Sequence, residues 1–315
     1  MVDREPASVL LPTTEWGPAC EEVAAGLADG DELLVLCDTA ADPVAGHETP
    51  DGVDVVVAGE PQGCSGKANA LACGMERASN DRFVWTDDDF ARPESWLEQL
   101  VADYERVGPA SELPVFVGAD PLSRLLEPLY AYGTFGLYRA DVPWGGALVF
   151  DRSDVDAERV RADLRQTVSD DGLLSERLEV TQQRRVRRVE IGGSLRASLE
   201  RHVRFVQTFR RFGPRGLAGA TAWFGLLGLL CVLAPLPGAA LVAATTAGVY
   251  AALDIRRPSV FWSHLSVLAF VPLLVYALAR RTFVWSGRRY RWRGKFDTTV
   301  VGAVDDPPET RPAET

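Results

Sequence analysis

The feature that most constrains the fold is a run of 38 residues without a charged side chain, Gly216–Leu253. A helix needs roughly 20 residues to cross the hydrocarbon core of a bilayer, so this run is long enough for two helices. The segment Pro235–Gly238 contains two prolines near the middle of the run and would interrupt a helix. We therefore expect a tight two-helix hairpin over about 216–234 and 238–253.

A third charge-free run, Pro258–Ala279, predicts one more helix over about 259–279. The next segment, Arg280–Lys295, carries seven bases and no acid. Positive charge favours the cytoplasmic side of a membrane, whereas three full spans would export this segment. Two alternatives stay open: the third helix is re-entrant or interfacial, or the tail is exported against the charge rule. A buried soluble helical domain is the alternative to any membrane region.

The charge of the chain is unevenly divided. Residues 199–296 carry 14 bases and two acids, whereas the other residues carry 19 bases and 42 acids. An acidic globule is therefore joined to a basic, apolar region, which indicates a membrane surface and argues against nucleic acid as a partner. Residues 194–215 predict an amphipathic interfacial helix, with simple electrostatic anchoring as the alternative. Its apolar face would consist of Leu195, Leu199, Val203, Val206 and Phe209.

Residues 1–193 alternate short apolar runs with helical patterns, which predicts an α/β domain with a mostly parallel, Rossmann-like sheet. The predicted strands are Ser8–Leu11, Glu32–Cys37, Asp54–Ala58, Arg82–Trp85 and Pro114–Val117. The predicted helices are Glu21–Ala28, Lys67–Ala78 and Glu94–Val107. Residues 1–30 lack the apolar core of a signal peptide, and residues 297–315 are predicted to be disordered.

Three carboxylates, Asp87, Asp88 and Asp89, directly follow the apolar strand end Phe83–Trp85. In open α/β sheets, ligands bind outside the carboxyl ends of the strands. Clustered carboxylates repel one another, and their hard oxygen atoms suit Mg²⁺ or Mn²⁺, which in turn would bind a diphosphate. A solvated acidic turn, or a helix N-terminus stabilised by anions, is the alternative.

A glycine-containing segment, Gly63–Lys67, leads into the second predicted helix. Glycines let the backbone approach a phosphate, and a lysine at a helix N-terminus adds positive charge there. Lys67 is one of only two lysines in the chain. This placement favours a phosphate contact over the alternative of an ordinary surface lysine.

In their order, these segments resemble the lipid-linked and processive family-2 glycosyltransferases with the GT-A fold. Within that family, the sequence is most similar to the ceramide glucosyltransferase branch, over roughly residues 8–296. The segments that carry the resemblance are Val9–Pro12, Cys37–Asp42, Gly63–Leu71, Asp87–Asp89, Trp144–Phe150, Ser169–Asp171, Arg201–Phe205 and Val284–Trp292. The last of these contains the W-x-G-R-x-Y pattern of the branch. The acid-rich, lysine-poor composition is typical of proteins from salt-loving archaea.

The resemblance implies roles for residues on the nucleotide side. Asp38 would contact the nucleotide base, and Lys67 and Asn69 belong to the family's G-x-K-x-N-x-L segment. Asp87 and Asp89 occupy the D-x-D position. There, Asp87 would contact the nucleotide sugar, and both acids would hold Mg²⁺ or Mn²⁺ on the diphosphate.

The resemblance also implies sites further along the chain. Asp120 matches an additional acidic position of the ceramide branch and is predicted to bind the donor. Arg201 and Arg204 match the family's (Q/R)-x-x-R-W motif, with Phe205 in place of Trp, and would neutralise diphosphate charge. Gln207–Arg211 is a second near match that lacks the aromatic residue.

The chemical step is implied by two further segments. Ser169–Asp171 resembles the family motif whose last acid is the general base, so Asp171 is the predicted base and Asp170 the second candidate. A helix N-cap at Ser169 or Asp170 is the alternative, and both roles are compatible. Trp144–Phe150 resembles the small-residue segment that lines the sugar and acceptor site, with a plain β-turn as its alternative.

The expected function is an inverting, membrane-bound glycosyltransferase. A cytoplasmic domain would move a sugar from a UDP- or GDP-sugar to a lipid or a polyprenyl-phosphate acceptor, at a multi-pass membrane region. One alternative is a processive polysaccharide synthase, which would require more membrane helices and a complete Q-x-x-R-W motif. The other is a catalytically inactive scaffold, which would be expected to have lost an acid at 87, 89 or 171, and the sequence retains all three.

Overall fold

The computed structural model describes residues 4–304, and the two compact units of the chain are described separately. Unit 1 comprises residues 4–113, 141–187 and 294–300. Unit 2 comprises residues 114–140, 188–293 and 301–304. The predicted disorder of residues 305–315 lies outside the described residues.

Within residues 4–304, seven strands form one sheet with the order β3-β2-β1-β4-β6-β5-β7. Its strands are β1 (Ala7–Pro12), β2 (Glu32–Cys37), β3 (Val53–Val57), β4 (Arg82–Thr86), β5 (Ala110–Gly118), β6 (Ala147–Asp151) and β7 (Thr181–Ile191). Strands β3, β2, β1 and β4 are mutually parallel, and β6 is antiparallel to its neighbours β4 and β5. The expectation of a mostly parallel, GT-A-like α/β sheet is therefore confirmed.

The helices of unit 1 are short. They are α1 (Pro18–Ala25), α2 (Gly66–Arg77), α3 (Trp96–Val107), α5 (Ala157–Leu164) and α6 (Asp170–Leu174). Unit 2 contains α4 (Pro121–Arg139), α7 (Leu195–Phe212), α8 (Pro214–Leu233), α9 (Pro235–Ala252) and α10 (Ser263–Ala279). Helix α4 was not predicted; its capping box at Asp120 and its proline at position 121 start the helix.

The core of unit 1 explains why functional groups gather at one edge of the sheet. Strands β1, β2 and β4 are buried along almost their whole length and are apolar on both faces, as expected where a parallel sheet is covered on both sides. Trp85 and Phe150 pack edge to face at 5.3 Å between ring centroids and fix the end of β4 against β6. The polar residues that follow β4 are thereby held at the rim of a rigid core.

Within the described part of the chain, three helical segments are long and apolar enough to cross a membrane. They are Pro214–Leu233, Pro235–Ala252 and Pro258–Ala279, the last of which begins with a short 3₁₀ turn before α10. The helix break falls at Ala234, and Pro235 occupies the first position of α9, where a missing backbone N–H costs nothing.

The predicted interfacial face of α7 is largely used inside unit 2. Val203 and Val206 are only 1% and 7% exposed, whereas Leu195 and Phe209 near the helix ends are 58% and 40% exposed. The buried face also includes polar side chains, because α7 packs against α4, α10 and the tail strand that follows α10. The two ends of the predicted apolar stripe are therefore exposed, whereas Val203 and Val206 in its middle are packed inside unit 2.

The basic tail forms a small sheet with the order β10-β9-β8. Its strands are β8 (Phe283–Trp285), β9 (Arg288–Gly294) and β10 (Asp297–Ala303). The prediction of disorder from residue 297 onward was therefore wrong for residues 297–303. Composition alone did not reveal that these residues pair with β9.

The hairpin of α8 and α9 yields a stability prediction. A Cβ added at Gly238 would lie 2.7 Å from the Cα of Cys231 and 2.9 Å from the carbonyl carbon of Leu230, both backbone atoms of α8. Gly238→Ala should therefore force the helices apart and lower stability by about 1–3 kcal/mol, as overpacking does. The measurement is the thermal unfolding midpoint in detergent.

Gly248→Ala is the matched control, because a Cβ at this exposed position of α9 meets no atom within 4 Å. Its midpoint should stay unchanged or rise slightly, since alanine has the higher helix propensity. Equal midpoints for the two variants would contradict the close approach of the helices.

Candidate active site

Lys67 of unit 1 lies between two acidic motifs that are far apart in sequence. Its Nζ is 2.6 Å from Oδ1 of Asp87, which follows β4, and 2.9 Å from Oδ2 of Asp170, at the start of α6. The lysine side chain is only 14% exposed, which is incompatible with an ordinary surface lysine. Burial by itself lowers the pKa of Lys67, but Asp170, Asp87 and Asp171 outweigh it and raise that pKa well above its usual value. Lys67 therefore stays charged.

Two helix caps bring these segments together. The Ser65 side chain caps α2 by accepting a hydrogen bond from the Ala68 N–H at 3.1 Å, and the same hydroxyl donates to the Val168 carbonyl at 2.8 Å. Ser169 caps α6 by accepting from the Gly172 N–H at 3.0 Å. The cap predicted at Ser169 thus coexists with acids that face Lys67.

The turn at Gly145 and Gly146 connects the two acidic motifs. The Gly145 N–H donates to Oδ1 of Asp171 at 2.5 Å. The Gly146 carbonyl accepts from the Thr86 hydroxyl at 3.0 Å and from the Asp87 N–H at 3.3 Å. The segment is a turn before β6, and its small residues lie directly beside Asp170 and Asp171. That it lines a sugar and acceptor site stays a prediction.

The surroundings of Asp171 favour its protonated form. Burial is the largest cause, followed by the charge of Asp170 and, more weakly, that of Asp87. Lys67 and the Gly145 N–H oppose these effects, and the balance raises the pKa of Asp171 to about 8. A carboxyl group with a pKa near neutrality is suited to accept a proton from a hydroxyl group during a reaction.

Arg92 is a residue of this site that sequence reasoning missed. Its guanidinium donates to the Thr86 hydroxyl at 2.6 Å, to the Phe90 carbonyl at 2.8 Å and to the Asp87 carbonyl. It also stacks over the Phe90 ring, 4.0 Å from the centroid. Burial lowers the pKa of Arg92, and Glu22 and Asp87 oppose the shift. Arg92 therefore holds the backbone of the acidic loop through its carbonyl oxygens. No spacing in the sequence predicts this role.

The acidic loop has a donor set that fits a divalent cation. Asp87 and Asp89 offer hard carboxylate oxygens, whereas Asp88 accepts a hydrogen bond from the Thr13 hydroxyl at 2.7 Å. Among residues 4–304, no group of three or more His, Cys, Asp or Glu side chains is arranged to hold a metal ion. Mg²⁺ is commonly bound through one or two carboxylates together with substrate phosphates, and this set fits that pattern.

Two other predicted nucleotide contacts lie near the ends of β2 and β3. Asp38 is 7% exposed, and its backbone N–H donates to Oδ2 of Asp42 at 2.9 Å. The Asn69 amide donates to the carbonyl oxygens of Ala58 at 3.3 Å and Gly59 at 2.7 Å. Asn69 therefore shapes the loop after β3, and its ligand contact stays a prediction.

Asp120 of unit 2 is held by hydrogen bonds to both of its carboxylate oxygens. One carboxylate oxygen accepts from the N–H groups of Leu122 and Ser123 at 2.9 and 3.2 Å, and the other accepts from the hydroxyls of Ser123 and Ser198 at 2.7 and 2.6 Å. Burial raises the pKa of Asp120, but the bonds from Ser198 and Ser123 outweigh it and lower that pKa below its usual value. The carboxylate caps α4 and bonds it to α7, and the donor contact of Asp120 stays a prediction.

The two arginines of the (Q/R)-x-x-R-W-like motif also lie in unit 2. The Arg204 guanidinium stacks over the Trp285 ring at 4.0 Å and over the Phe205 ring at 5.6 Å. Arg201 is 6% exposed and, with Arg204, opposes the rise that burial causes in the pKa of Tyr130. The structure thus brings this motif together with the Trp285 tail segment that the sequence had singled out separately.

Residues 38–148 match the family model described as glycosyl transferase family 2. The match includes Asp38, Lys67, Asp87 and Gly145, and the chain is accordingly an enzyme that carries a family-2 glycosyltransferase domain. No curated protein sequence matches the chain.

Among solved structures, the chain is similar to glucosyl-3-phosphoglycerate synthase from Mycobacterium tuberculosis in complex with phosphoglyceric acid. The identity is 20%, the TM-score is 0.42, and the similarity covers 65% of this chain and 80% of that chain. The same values hold for that enzyme in complex with Mn²⁺, uridine diphosphate and glucosyl-3-phosphoglycerate. Its complex with Mn²⁺ and UDP-glucose gives 17% identity and a TM-score of 0.40, over 65% of this chain and 79% of that chain.

The turn beside the acids yields a prediction for activity. A Cβ at Gly145 would lie 2.5 Å from both Oδ2 of Asp170 and Oδ1 of Asp171, so Gly145→Ala must displace both carboxylates. We expect kcat to fall by about 10²-fold or more, because a displaced base loses most of its contribution. Gly46→Ala, where a Cβ meets no atom within 4 Å, should retain full activity. Similar kcat values for the two variants would contradict this geometry.

The raised pKa of Asp171 predicts a pH profile. If Asp171 must be ionised to act, kcat/KM should rise about tenfold per pH unit below pH 8 and level off above it. Lys67→Met should move this limb to higher pH, because it removes the positive charge that opposes Asp170 and Asp87. The measurement is kcat/KM from pH 5.5 to 9.5, and a limb near the ordinary carboxyl pKa would contradict the assignment.

Proposed function

We propose that this family-2 glycosyltransferase is membrane-bound and moves a sugar, with inversion, from a nucleoside-diphosphate sugar to a lipid or lipid-linked acceptor. The observation that carries the proposal is the contact of Lys67 with both Asp87 and Asp170, directly beside Asp171. It joins the D-x-D segment, the glycine-lysine segment and the acid of the predicted base motif within one unit. An inverting sugar transfer needs a base for the acceptor hydroxyl near groups that stabilise the leaving diphosphate.

Asp171 is the general base of the proposed reaction. One of its oxygens is oriented by the Gly145 N–H, and the other receives the proton of the acceptor hydroxyl. The hydroxyl oxygen bonds to the anomeric carbon as the bond from that carbon to the diphosphate oxygen breaks. The diphosphate leaves with the bonding electrons. General-base assistance of this kind typically contributes about 10²–10⁴-fold to the rate.

The leaving diphosphate is stabilised by charge. Mg²⁺ or Mn²⁺ held by Asp87 and Asp89 would supply Lewis-acid stabilisation when bound. Lys67 adds a positive charge in the first turn of α2, and phosphate oxygens bind favourably at helix N-termini. In the proposed cycle, the Lys67 ammonium exchanges part of its contact with Asp87 for the diphosphate, while its contact with Asp170 keeps it in place.

The acceptor side of the proposal rests on unit 2. Its three apolar helical segments are suited to a multi-pass membrane region, and Arg201 and Arg204 are suited to an anionic group. A polyprenyl phosphate or an archaeal glycerol lipid is at least as consistent with these features as ceramide. We place the catalytic domain on the cytoplasmic side. The ceramide-type branch and a salt-loving archaeal source are proposals from the sequence alone.

The test is nucleoside-diphosphate release by the detergent-purified protein with Mn²⁺. A panel of UDP- and GDP-sugars is offered with and without a lipid extract. Release that needs both metal and lipid supports the proposal and identifies the donor. Release without lipid indicates hydrolysis or a soluble acceptor, and no release with any donor contradicts transferase activity toward these substrates.

The role of Asp171 has its own test. Asp171→Asn should lower kcat by about 10²-fold or more, because an amide does not accept the hydroxyl proton at neutral pH. Binding of the nucleotide sugar, measured by calorimetry, should survive because the phosphate-binding groups are intact. Asp29→Asn, at an exposed acid in a surface turn, is the control and should keep full activity. Turnover retained in Asp171→Asn would remove Asp171 from the base role.

A further inference from the structure

Thr86, the last residue of β4, carries a buried hydroxyl group that joins two segments of unit 1. The hydroxyl donates a hydrogen bond to the Gly146 carbonyl at 3.0 Å. It accepts hydrogen bonds from Nη2 of Arg92 at 2.6 Å and from Nε of Arg92 at 3.2 Å. A threonine hydroxyl has one hydrogen to donate and two lone pairs to offer, so these three bonds use its whole capacity.

The Arg92 guanidinium, on the other side of this hydroxyl, is only 1% exposed. Nη2 also donates to the Asp87 carbonyl, and Nη1 donates to the Phe90 carbonyl at 2.8 Å. Nη1 forms an ion pair with Glu22 at 3.7 Å, and the same Glu22 oxygen accepts from the Arg92 backbone N–H at 2.9 Å. A lysine cannot make this set of bonds, because it lacks the planar fork of donors.

Aromatic rings hold the guanidinium in this orientation. Its carbon atom lies 4.0 Å from the centroid of the Phe90 ring and 5.2 Å from that of the Trp96 ring. The Trp96 indole N–H donates to the buried Glu112 carboxylate at 3.1 Å. Phe90 also packs against Trp144, the residue before the glycine turn, with ring centroids 5.2 Å apart. Arg92 is therefore fixed by packing as well as by its hydrogen bonds.

Both acids of the candidate active site are attached to this buried group. The Asp87 carbonyl accepts from Arg92, and the Asp87 N–H donates to the Gly146 carbonyl at 3.3 Å. That carbonyl is the one that accepts the hydroxyl at the end of β4. The adjacent Gly145 N–H donates to Asp171 at 2.5 Å. A continuous set of buried hydrogen bonds therefore leads from Asp87 to Asp171.

We propose that Thr86 and Arg92 are positioning residues of the proposed reaction. They keep the proposed metal ligand Asp87 at a constant distance from the proposed base Asp171, and neither of them contacts the substrates. The base must remove the acceptor proton while the diphosphate leaves, so the relative position of the two acids decides the rate. A displacement of about 1 Å can lower a rate by about 10²-fold. This inference rests on the function proposed above.

Two substitutions of Thr86 separate the hydroxyl group from the rest of the side chain. Thr86→Val removes the hydroxyl and keeps a β-branched side chain, so kcat should fall by about tenfold or more, with a smaller change in the donor KM. Thr86→Ser keeps the hydroxyl and should retain kcat within about threefold. Thr86→Ala is a second variant without the hydroxyl and should behave like Thr86→Val. Full kcat in both variants without a hydroxyl, or an equal loss in Thr86→Ser, would overturn the inference.

A double variant tests whether Thr86 acts through the glycine turn. Thr86→Val and Gly145→Ala both displace Asp171 by moving the same turn, so their combined loss of kcat should be smaller than the product of the two single losses. A side chain that only stabilises the fold would give independent effects on kcat. A combined loss equal to that product would therefore contradict the positioning role.

Hydrogen exchange measured by mass spectrometry tests the connection without using the reaction. Thr86→Val in the full-length, detergent-purified protein should raise amide exchange by about tenfold in peptides covering residues 84–92 and 142–150, because both lose a shared hydrogen bond. Exchange in α5 should stay unchanged, and Thr86→Ser should resemble the wild type. Faster exchange in only one of the two segments, or throughout the protein, would overturn the connection. If the wild type releases no nucleoside diphosphate with any donor, the proposed reaction fails, and the exchange result still decides whether Thr86 joins the two segments.

Discussion

The ion pairs of Lys67 with Asp87 and Asp170 are the interaction on which the rest of the active site depends. A buried cation compensates the repulsion of acids that come from two distant segments, and a buried carboxylate cluster without such a charge would be costly. The same balance of charges leaves Asp171 with a raised pKa, because Lys67 offsets only part of the effect of burial and Asp170. The charge that holds the acids together thus also influences the pKa of the proposed base.

Backbone groups determine where these charges lie. The Gly145–Gly146 turn bonds to Asp171 on one side and to Thr86 and Asp87 on the other, so its two peptide groups fix the spacing of the acids. Arg92 holds the acidic loop through its carbonyl oxygens, from a buried position. The proposed catalytic side chains are therefore positioned by neighbours to which the proposed reaction assigns no step, as preorganised sites require.

In unit 2, buried polar groups satisfy several helix ends. Asp120 caps the start of α4, and Gln207 caps the end of α10. In an apolar environment, unpaired carbonyl and N–H groups are expensive, so such contacts decide where helices begin, end and turn.

The sequence predicted the strands and helices around the site because their signals are local. Apolar runs set β1, β2 and β4, and β2 has the predicted bounds. The positions of Asp87 after β4 and of Asp171 at the start of α6 could likewise be predicted, since polar residues at strand ends and helix starts are recognisable in the sequence. Helix α4 was missed because its tyrosines and internal Pro128 obscure its helical pattern.

Composition and periodicity by themselves determined the acidic α/β unit, the three apolar helices and the basic tail, since each depends on residues close in sequence. Only the tertiary structure determined which side chains form ion pairs and hydrogen bonds with one another. It placed Lys67 between Asp87 and Asp170, made Asp120 a helix cap and bonded both ends of α10 to α4 and α7. These contacts join residues up to 141 positions apart. Hydrogen bonds and ion pairs at such separations leave no periodic trace in the sequence.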